Sequence, residues 1–368
     1  MSQRVKDSFL ILLRMGLWEE RHIAIPYFPL SNAEWSLVYE MSVAQTVEGV
    51  VYDGLLLLPQ EYLPPYTILL RWTAKIDGVE RYNKKMRQNL GVLATGLSKN
   101  NIEFILLKGL GLAENYNKPL LRVSGDVDLY FPTQNDYQQA NKLLKSKGFL
   151  IEKGDHNSVY YNFNTIQVEH HTKMIDVFNP FCQKFIKTFL IKEQEKANQL
   201  DLDGVKISIP SYILNQVQTN AHILKHYLGF GVGLRQFCDV ARLCHLKDPN
   251  FDGEELRSVY RKLGLSKWMN VIHNFLVNEL GLHRSKLPYA IEKYYDTKLI
   301  LQDVLNSGNF GFHDVRYDKG DREISKPNYQ RNYVIKRIMP HILKLIQLAP
   351  NEVFWYPVHK VYTKISGK

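Results

Sequence analysis

Asp126 and Asp128 stand one residue apart in the segment Arg122-Val123-Ser124-Gly125-Asp126-Val127-Asp128-Leu129-Tyr130. Alternate side chains of a strand share a face, so the two carboxylates are expected as a pair on a solvated face, with Val127, Leu129 and Phe131 turned to the core. Such a pair suits magnesium, a hard cation that takes oxygen ligands and leaves room for substrate phosphates. The pattern recurs downstream, where Ile166, Val168 and His170 alternate with Gln167, Glu169 and His171. Glu169 and His171 are thus expected to share a face, with His170 on the core side.

Upstream, Leu106-Leu107-Lys108-Gly109-Leu110-Gly111 ends a strand-like run and opens a short helix. Glycine there lets a phosphate approach backbone N–H groups, the helix amino terminus adds partial positive charge, and Lys108 adds a point charge.

These segments need a scaffold, and the periodicities supply one. From Tyr66 to Lys99 apolar residues recur every three or four positions, from Ile68 and Leu69 to Leu97, which predicts one long helix with a buried stripe. Earlier, Asp7 or Ser8 is expected to cap the first helix and Ser31 another. The texture changes at Ile102. Strands are expected over 102–107, 127–131, 149–152, 159–163 and 166–171, with a helix from Gln134 to Lys147 capped by Thr133 and ended by Gly148. After Pro210 the helical period returns behind Ser211, with a polar loop expected over 314–333. The domains implied are an amino-terminal helical domain (1–99), an α/β core (100–210) and a carboxy-terminal helical domain (211–368).

A chain of 368 residues that is 45% hydrophobic can bury at least one sizeable core. Its three cysteines, Cys182, Cys238 and Cys244, have no metal-type spacing, which argues for a reducing compartment. Arg14 interrupts the first apolar run and no small-residue cleavage site follows, so that run reads as an amphipathic helix, not a signal peptide. Without a long uninterrupted apolar run a membrane span is not supported, and a cytoplasmic protein is expected. The net charge of +10 favours anionic partners without choosing among them. Much of it lies in the last quarter, at Lys336, Arg337, Lys344, Lys360, Lys364 and Lys368, at the spacing of a solvated helix face.

Taken together, Lys108-Gly109, Arg122, Asp126-Val127-Asp128-Leu129 and Glu169-His170-His171 resemble the uncharacterised bacterial nucleotidyltransferase family of the polymerase-beta-like superfamily. The resemblance covers roughly residues 95 to 245 if Gly233-Leu234-Arg235-Gln236-Phe237-Cys238-Asp239 is counted. It implies an α+β fold, a small mixed-sheet core flanked by amino- and carboxy-terminal helical domains. It also implies two magnesium ions held by Asp126, Asp128 and Glu169, which are the catalytic residues. Nucleotide binding falls to Lys108, Gly109, Arg122, Ser124 and His171. Lys108-Gly109 stands where the superfamily has Gly-Ser, and Glu169 where Asp is commoner; Arg122 and Ser124 are expected to compensate with phosphate contacts.

The implied reaction is in-line attack on the α-phosphorus of a nucleoside triphosphate, with Glu169 taking the proton of an acceptor hydroxyl on a small molecule, a protein or an RNA. The alternative is a catalytically inactive module that keeps the fold and binds a partner. A weaker third reading is a zinc hydrolase built from His170, His171, His222 and His226.

Overall fold

The computed structural model describes residues 2–20, 25–154, 158–229, 231–248, 251–314 and 345–366. Most of the loop expected over 314–333, together with Lys336, Arg337, Lys344 and Lys368, lies outside the described residues. Helices α1 (Gln3–Trp18), α2 (Asn32–Ala44), α3 (Glu48–Leu55) and α4 (Tyr66–Ser98) come first. Next are β1 (Ile105–Leu107), α5 (Gly109–Ala113), β2 (Val127–Tyr130), α6 (Gln134–Ser146), β3 (Glu152–Lys153), β4 (Val159–Phe163) and β5 (Ile166–His171). Then follow α7 (Gln183–Gln194), β6 (Asn198–Leu202), β7 (Val205–Ile209) and α8 (Tyr212–Leu228). Last come α9 (Leu234–His245), α10 (Gly253–Lys262), α11 (Ser266–Asn278), α12 (Lys298–Ser307) and α13 (Pro350–Ser366).

The chain folds as two interleaved units, one of residues 1–65, 176–185 and 219–368, the other of 66–175 and 186–218. The first is helical, and hydrogen bonds between residues far apart in sequence explain why its two ends belong together. Trp18 Nε1 donates to the Leu280 carbonyl at 2.7 Å, Arg242 Nη1 to that of Leu17 at 2.7 Å, and the Leu234 N–H to Gln45 Oε1 at 2.9 Å. Helices α1 and α3 cross at Gly16 and Gly54, where a Cβ would lie 1.8 Å from the Val50 carbonyl oxygen and 1.9 Å from that of Leu12. Helix α1 starts earlier than expected. Ser2, not Asp7 or Ser8, caps it, its Oγ accepting from the Val5 N–H, while Ser8 is buried inside the helix.

The second unit holds the α/β core. Its five-stranded sheet runs β1-β2-β5-β4-β3, with β2 and β5 parallel and every other neighbouring pair antiparallel. One face is apolar: Leu106, Val127, Leu129, Phe131, Tyr161 and Val168 pack against Met86, Leu90 and Leu97 of α4 and Ala140 and Leu144 of α6. Burying such side chains contributes roughly 1.5–3 kcal/mol each. The 33-residue α4 is one continuous helix, as its period predicts, and clusters with this sheet. Thr133 caps α6 and Gly148, with φ 85°, follows it as expected. Strand β3 is shorter than the 149–152 run suggested, and β6 pairs with β7 as a separate hairpin.

Two buried histidines do opposite things. On the apolar sheet face His170 is fully satisfied: Nδ1 donates to Asn141 Oδ1 at 2.8 Å and Nε2 accepts from the Tyr161 hydroxyl at 2.9 Å. In the helical unit, neither ring nitrogen of His273 has a hydrogen-bond partner among the described residues, and the ring packs edge-on against Tyr289. Burial pushes the His273 imidazole down from 6.5 to about 3. The unfolded chain therefore takes up a proton where the folded chain does not, so His273's stability contribution is complete above about pH 6.5 and falls as pH drops towards 3. The loss is about 1.4 kcal/mol per pH unit. His273→Phe is expected to remove this share of acid sensitivity without lowering stability at pH 7.5. Thermal melts at pH 7.5 and 5.5 check it; an equal acid-induced drop in both proteins would contradict it.

Candidate active site

The parallel pairing of β2 and β5 builds the site. Its register sets Asp128 beside Glu169 and Tyr130 beside His171, and side chains at paired positions point to the same side of a sheet. Antiparallel pairing adds Tyr160 next to Glu169. Asp128, Glu169 and His171 thus meet on the face opposite the apolar core, where His170 points away from them.

Their distances are short. His171 Nε2 donates to Asp128 Oδ1 at 2.6 Å and stands 3.7 Å from Glu169 Oε2. One ligand atom from each of the three side chains lies within 4.8 Å of the others, and among the described residues no other group of three or more His, Cys, Asp or Glu does so. Asp126 lies outside that group. It precedes β2 and is exposed, whereas Asp128 is buried at 6% exposure. The expectation that both aspartates occupy a solvated face is therefore corrected: the strand begins after Asp126, and only Asp128 is drawn into the sheet.

Lys108 explains how a buried carboxylate is tolerated. It follows β1, whose Leu107 pairs with Asp128, and its Nζ reaches Asp128 Oδ2 at 3.6 Å. Burial alone would raise the Asp128 carboxyl, but the Lys108 ammonium and the His171 hydrogen bond overcome it and hold the group well below the usual carboxylate range. The lysine expected to meet phosphate thus already faces an acid. Its backbone is in a sparsely populated conformation, φ 46° and ψ −137°, which turns the chain sharply out of β1. At the next residue a Cβ would lie 3.2 Å from the Asp126 carbonyl oxygen, so glycine lets this turn rest against the aspartate loop. Helix α5 has only five residues, so a helix macrodipole adds little and the local positive potential comes chiefly from Lys108.

The loop that delivers Asp126 is gripped by two adjacent residues of α4. Asn83 Nδ2 donates to the carbonyls of Leu120 and Arg122 at 2.7 and 2.9 Å, and the Tyr82 hydroxyl donates to that of Gly125 at 3.1 Å. Arg122 and Ser124, expected at the phosphates, are both buried at 6% exposure. Arg122 Nη1 donates to the Val123 carbonyl and to Ser124 Oγ, at 3.2 and 3.3 Å, within the loop. From sequence Tyr82 reads only as part of the buried stripe of α4, and Asn83 was not singled out. The signal was a polar Asn83 beside the buried stripe of α4, whose partners are carbonyls some 40 residues away and leave no pattern.

His222 and His226 lie elsewhere, in the helical unit. Their rings stack edge-on at 4.3 Å, with His226 also against Phe310. Among the described residues they join no third metal-type ligand. All three cysteines are buried, and none forms a disulfide.

An α+β protein with an acid and imidazole cluster on one face of a small mixed sheet is the class that fold and site define. The model of the uncharacterised nucleotidyltransferase family matches residues 31–273, well over half of the chain, and the chain belongs to that family. Among solved structures, an antigenic nucleotidyltransferase-like protein from Paracoccidioides brasiliensis is similar at 18% identity, over 54% of this chain and 93% of that one, with a TM-score of 0.35. No curated protein matches the chain.

Breaking the Lys108–Asp128 pair from one side leaves a buried charge short of a partner. Lys108→Met is expected to cost about 3 kcal/mol, the low end for a buried pair because Lys108 is partly exposed, and Lys108→Met with Asp128→Asn clearly less than the sum of the two single changes. Urea denaturation of the four proteins measures the coupling; additive costs would show that the two groups do not interact.

Proposed function

We propose that this chain transfers a nucleoside monophosphate from a nucleoside triphosphate to an acceptor hydroxyl, at the site of Asp128, Glu169 and His171. The observation that carries the reading is the convergence of two carboxylates from separate strands beside a Lys-Gly turn, in a member of a nucleotidyltransferase family. Asp128 and Glu169 offer the hard oxygen donors that a divalent cation takes, and magnesium is the ion that carboxylates alone would suit. Such an ion, when bound, supplies positive charge to the triphosphate and to the leaving pyrophosphate.

The protein's own groups have distinct tasks on this reading. Lys108 and the Gly109 backbone face the side where the triphosphate lies. His171 fixes the Asp128 carboxylate through Oδ1. Asp126, exposed at the lip of β2, reaches the same substrate from the loop held by Tyr82 and Asn83. Arg122 and Ser124 shape that loop from within. The Glu169 side chain is 30% exposed and takes the acceptor proton as the acceptor oxygen bonds to the α-phosphorus. The bond from that phosphorus to the β-phosphate oxygen breaks, and pyrophosphate leaves. The acceptor belongs to one of three classes: a small molecule, a protein side chain or an RNA end.

A second reading has its own support. Lys108 and His171 between them face both oxygens of the buried Asp128 carboxylate, as a binding module that has lost catalysis would require. Pyrophosphate release from each of the four common triphosphates, with magnesium or manganese, separates the two. The enzyme reading expects release that falls about 100-fold or more in Glu169→Gln and vanishes in Asp128→Asn, with both variants folded by circular dichroism. Release unchanged in both variants would overturn the assignment of the reaction to this site, and nucleotide binding by calorimetry with no release under any condition favours the module.

A further inference from the structure

The imidazole in the cluster bears on which cation it takes. Asp128 Oδ2 faces Lys108, while Oδ1 faces His171. His171 Nε2 in turn faces both Asp128 Oδ1 and Glu169 Oε2, at 2.6 and 3.7 Å. The nitrogen is therefore close to both oxygens that a cation would use, all three atoms lying within 4.8 Å of one another, and its side chain is only 18% exposed. Its neighbour His170 cannot take its place, being held on the opposite sheet face by Tyr161 and Asn141. An imidazole carrying its hydrogen on Nδ1 presents the Nε2 lone pair to the same space.

Magnesium matches this donor set poorly. It demands near-octahedral oxygen coordination and gives up its water reluctantly, whereas imidazole nitrogen suits first-row transition ions. Manganese takes the same carboxylate and water oxygens as magnesium in the same octahedral arrangement, and as a first-row transition ion it also binds nitrogen donors.

We propose that the Asp128, Glu169 and His171 cluster is a one-nitrogen, two-carboxylate site that binds manganese(II) in preference to magnesium, with His171 Nε2 as a direct ligand. This deepens the proposed function and rests on its reading of the cluster as a cation site, but not on turnover. His171 then selects the ion that accompanies the nucleoside triphosphate, instead of contacting the nucleotide.

Pulsed electron paramagnetic resonance of the full chain loaded with manganese(II) alone tests it. The expected result is modulation from one directly bound histidine nitrogen, abolished in His171→Gln, together with manganese binding about tenfold or more tighter than magnesium in competition. The variant should retain magnesium affinity within about threefold, since its carboxylates remain. Absence of nitrogen modulation, its persistence in His171→Gln, or equal affinity for the two ions overturns the proposal. Should His171→Gln fail to fold, protein labelled with nitrogen-15 histidine replaces it: an unchanged modulation pattern overturns the proposal and a changed one supports it. Histidine-bound manganese without pyrophosphate release would sink the transferase reading alone. Release supported equally by both ions, with no nitrogen modulation, would sink this inference alone.

Discussion

The buried carboxylate of Asp128 is the constraint around which the α/β unit is arranged. Taking an ionised carboxylate out of water costs several kcal/mol unless charge and hydrogen bonds compensate. Compensation comes from both flanking strands at once, Lys108 from the turn after β1 and His171 from the end of β5. Antiparallel β1 brings Lys108 next to Asp128, and parallel β5 brings Glu169 and His171. A one-residue slip of either strand would turn these side chains into the apolar layer. The polar cluster therefore fixes the register as firmly as the hydrophobic face does.

His170 and His171 show how completely the sheet separates its two tasks. They are consecutive, yet one is sealed between Tyr161 and Asn141 and the other touches both acids. Burial, aided by the neighbouring His171, pushes His170 down to about 3, so it stays a neutral structural link between strand and helix. The apolar layer supplies stability from α4 and α6, and leaves the opposite face open to charged and polar residues. Helix α4 does both, packing Met86 and Leu90 into the core while Tyr82 and Asn83 hold the loop that carries Asp126.

What the sequence disclosed was local. The period-two alternation of 166–171 placed Glu169 and His171 together, and the same rule put His170 on the core side. The long period of α4, the Thr133 cap and the α+β class were equally legible. Contacts between distant segments were not. Period two made Asp126 and Asp128 equivalent, because it cannot show that β2 starts between them or that Lys108 crosses to one of them. Arg122 and Ser124 read as phosphate contacts because their types suit phosphate, but the loop folds them onto each other. The β6–β7 hairpin did carry a signal: Asp203 and Gly204, with φ of 55° and 89°, are the two-residue turn its strands require. The texture also implied three consecutive domains, whereas the structure joins the chain's two ends through contacts such as Trp18 with Leu280.

The same network that makes Asp128 tolerable also sets the terms on which a cation enters. On the proposed reading, an ion held by Asp128, Glu169 and His171 would replace the His171–Asp128 hydrogen bond, with the imidazole hydrogen on Nδ1, and would add positive charge within reach of Lys108. Two cations sharing one carboxylate repel each other, and the repulsion is strong where water is scarce. A triphosphate would remove it by giving the ammonium a new anionic partner beside the Gly109 backbone. Metal and nucleotide would then each lower the cost of binding the other, a coupling that must be reciprocal. Two carboxylates exposed to water would need no such arrangement; one buried carboxylate clamped by lysine and histidine does.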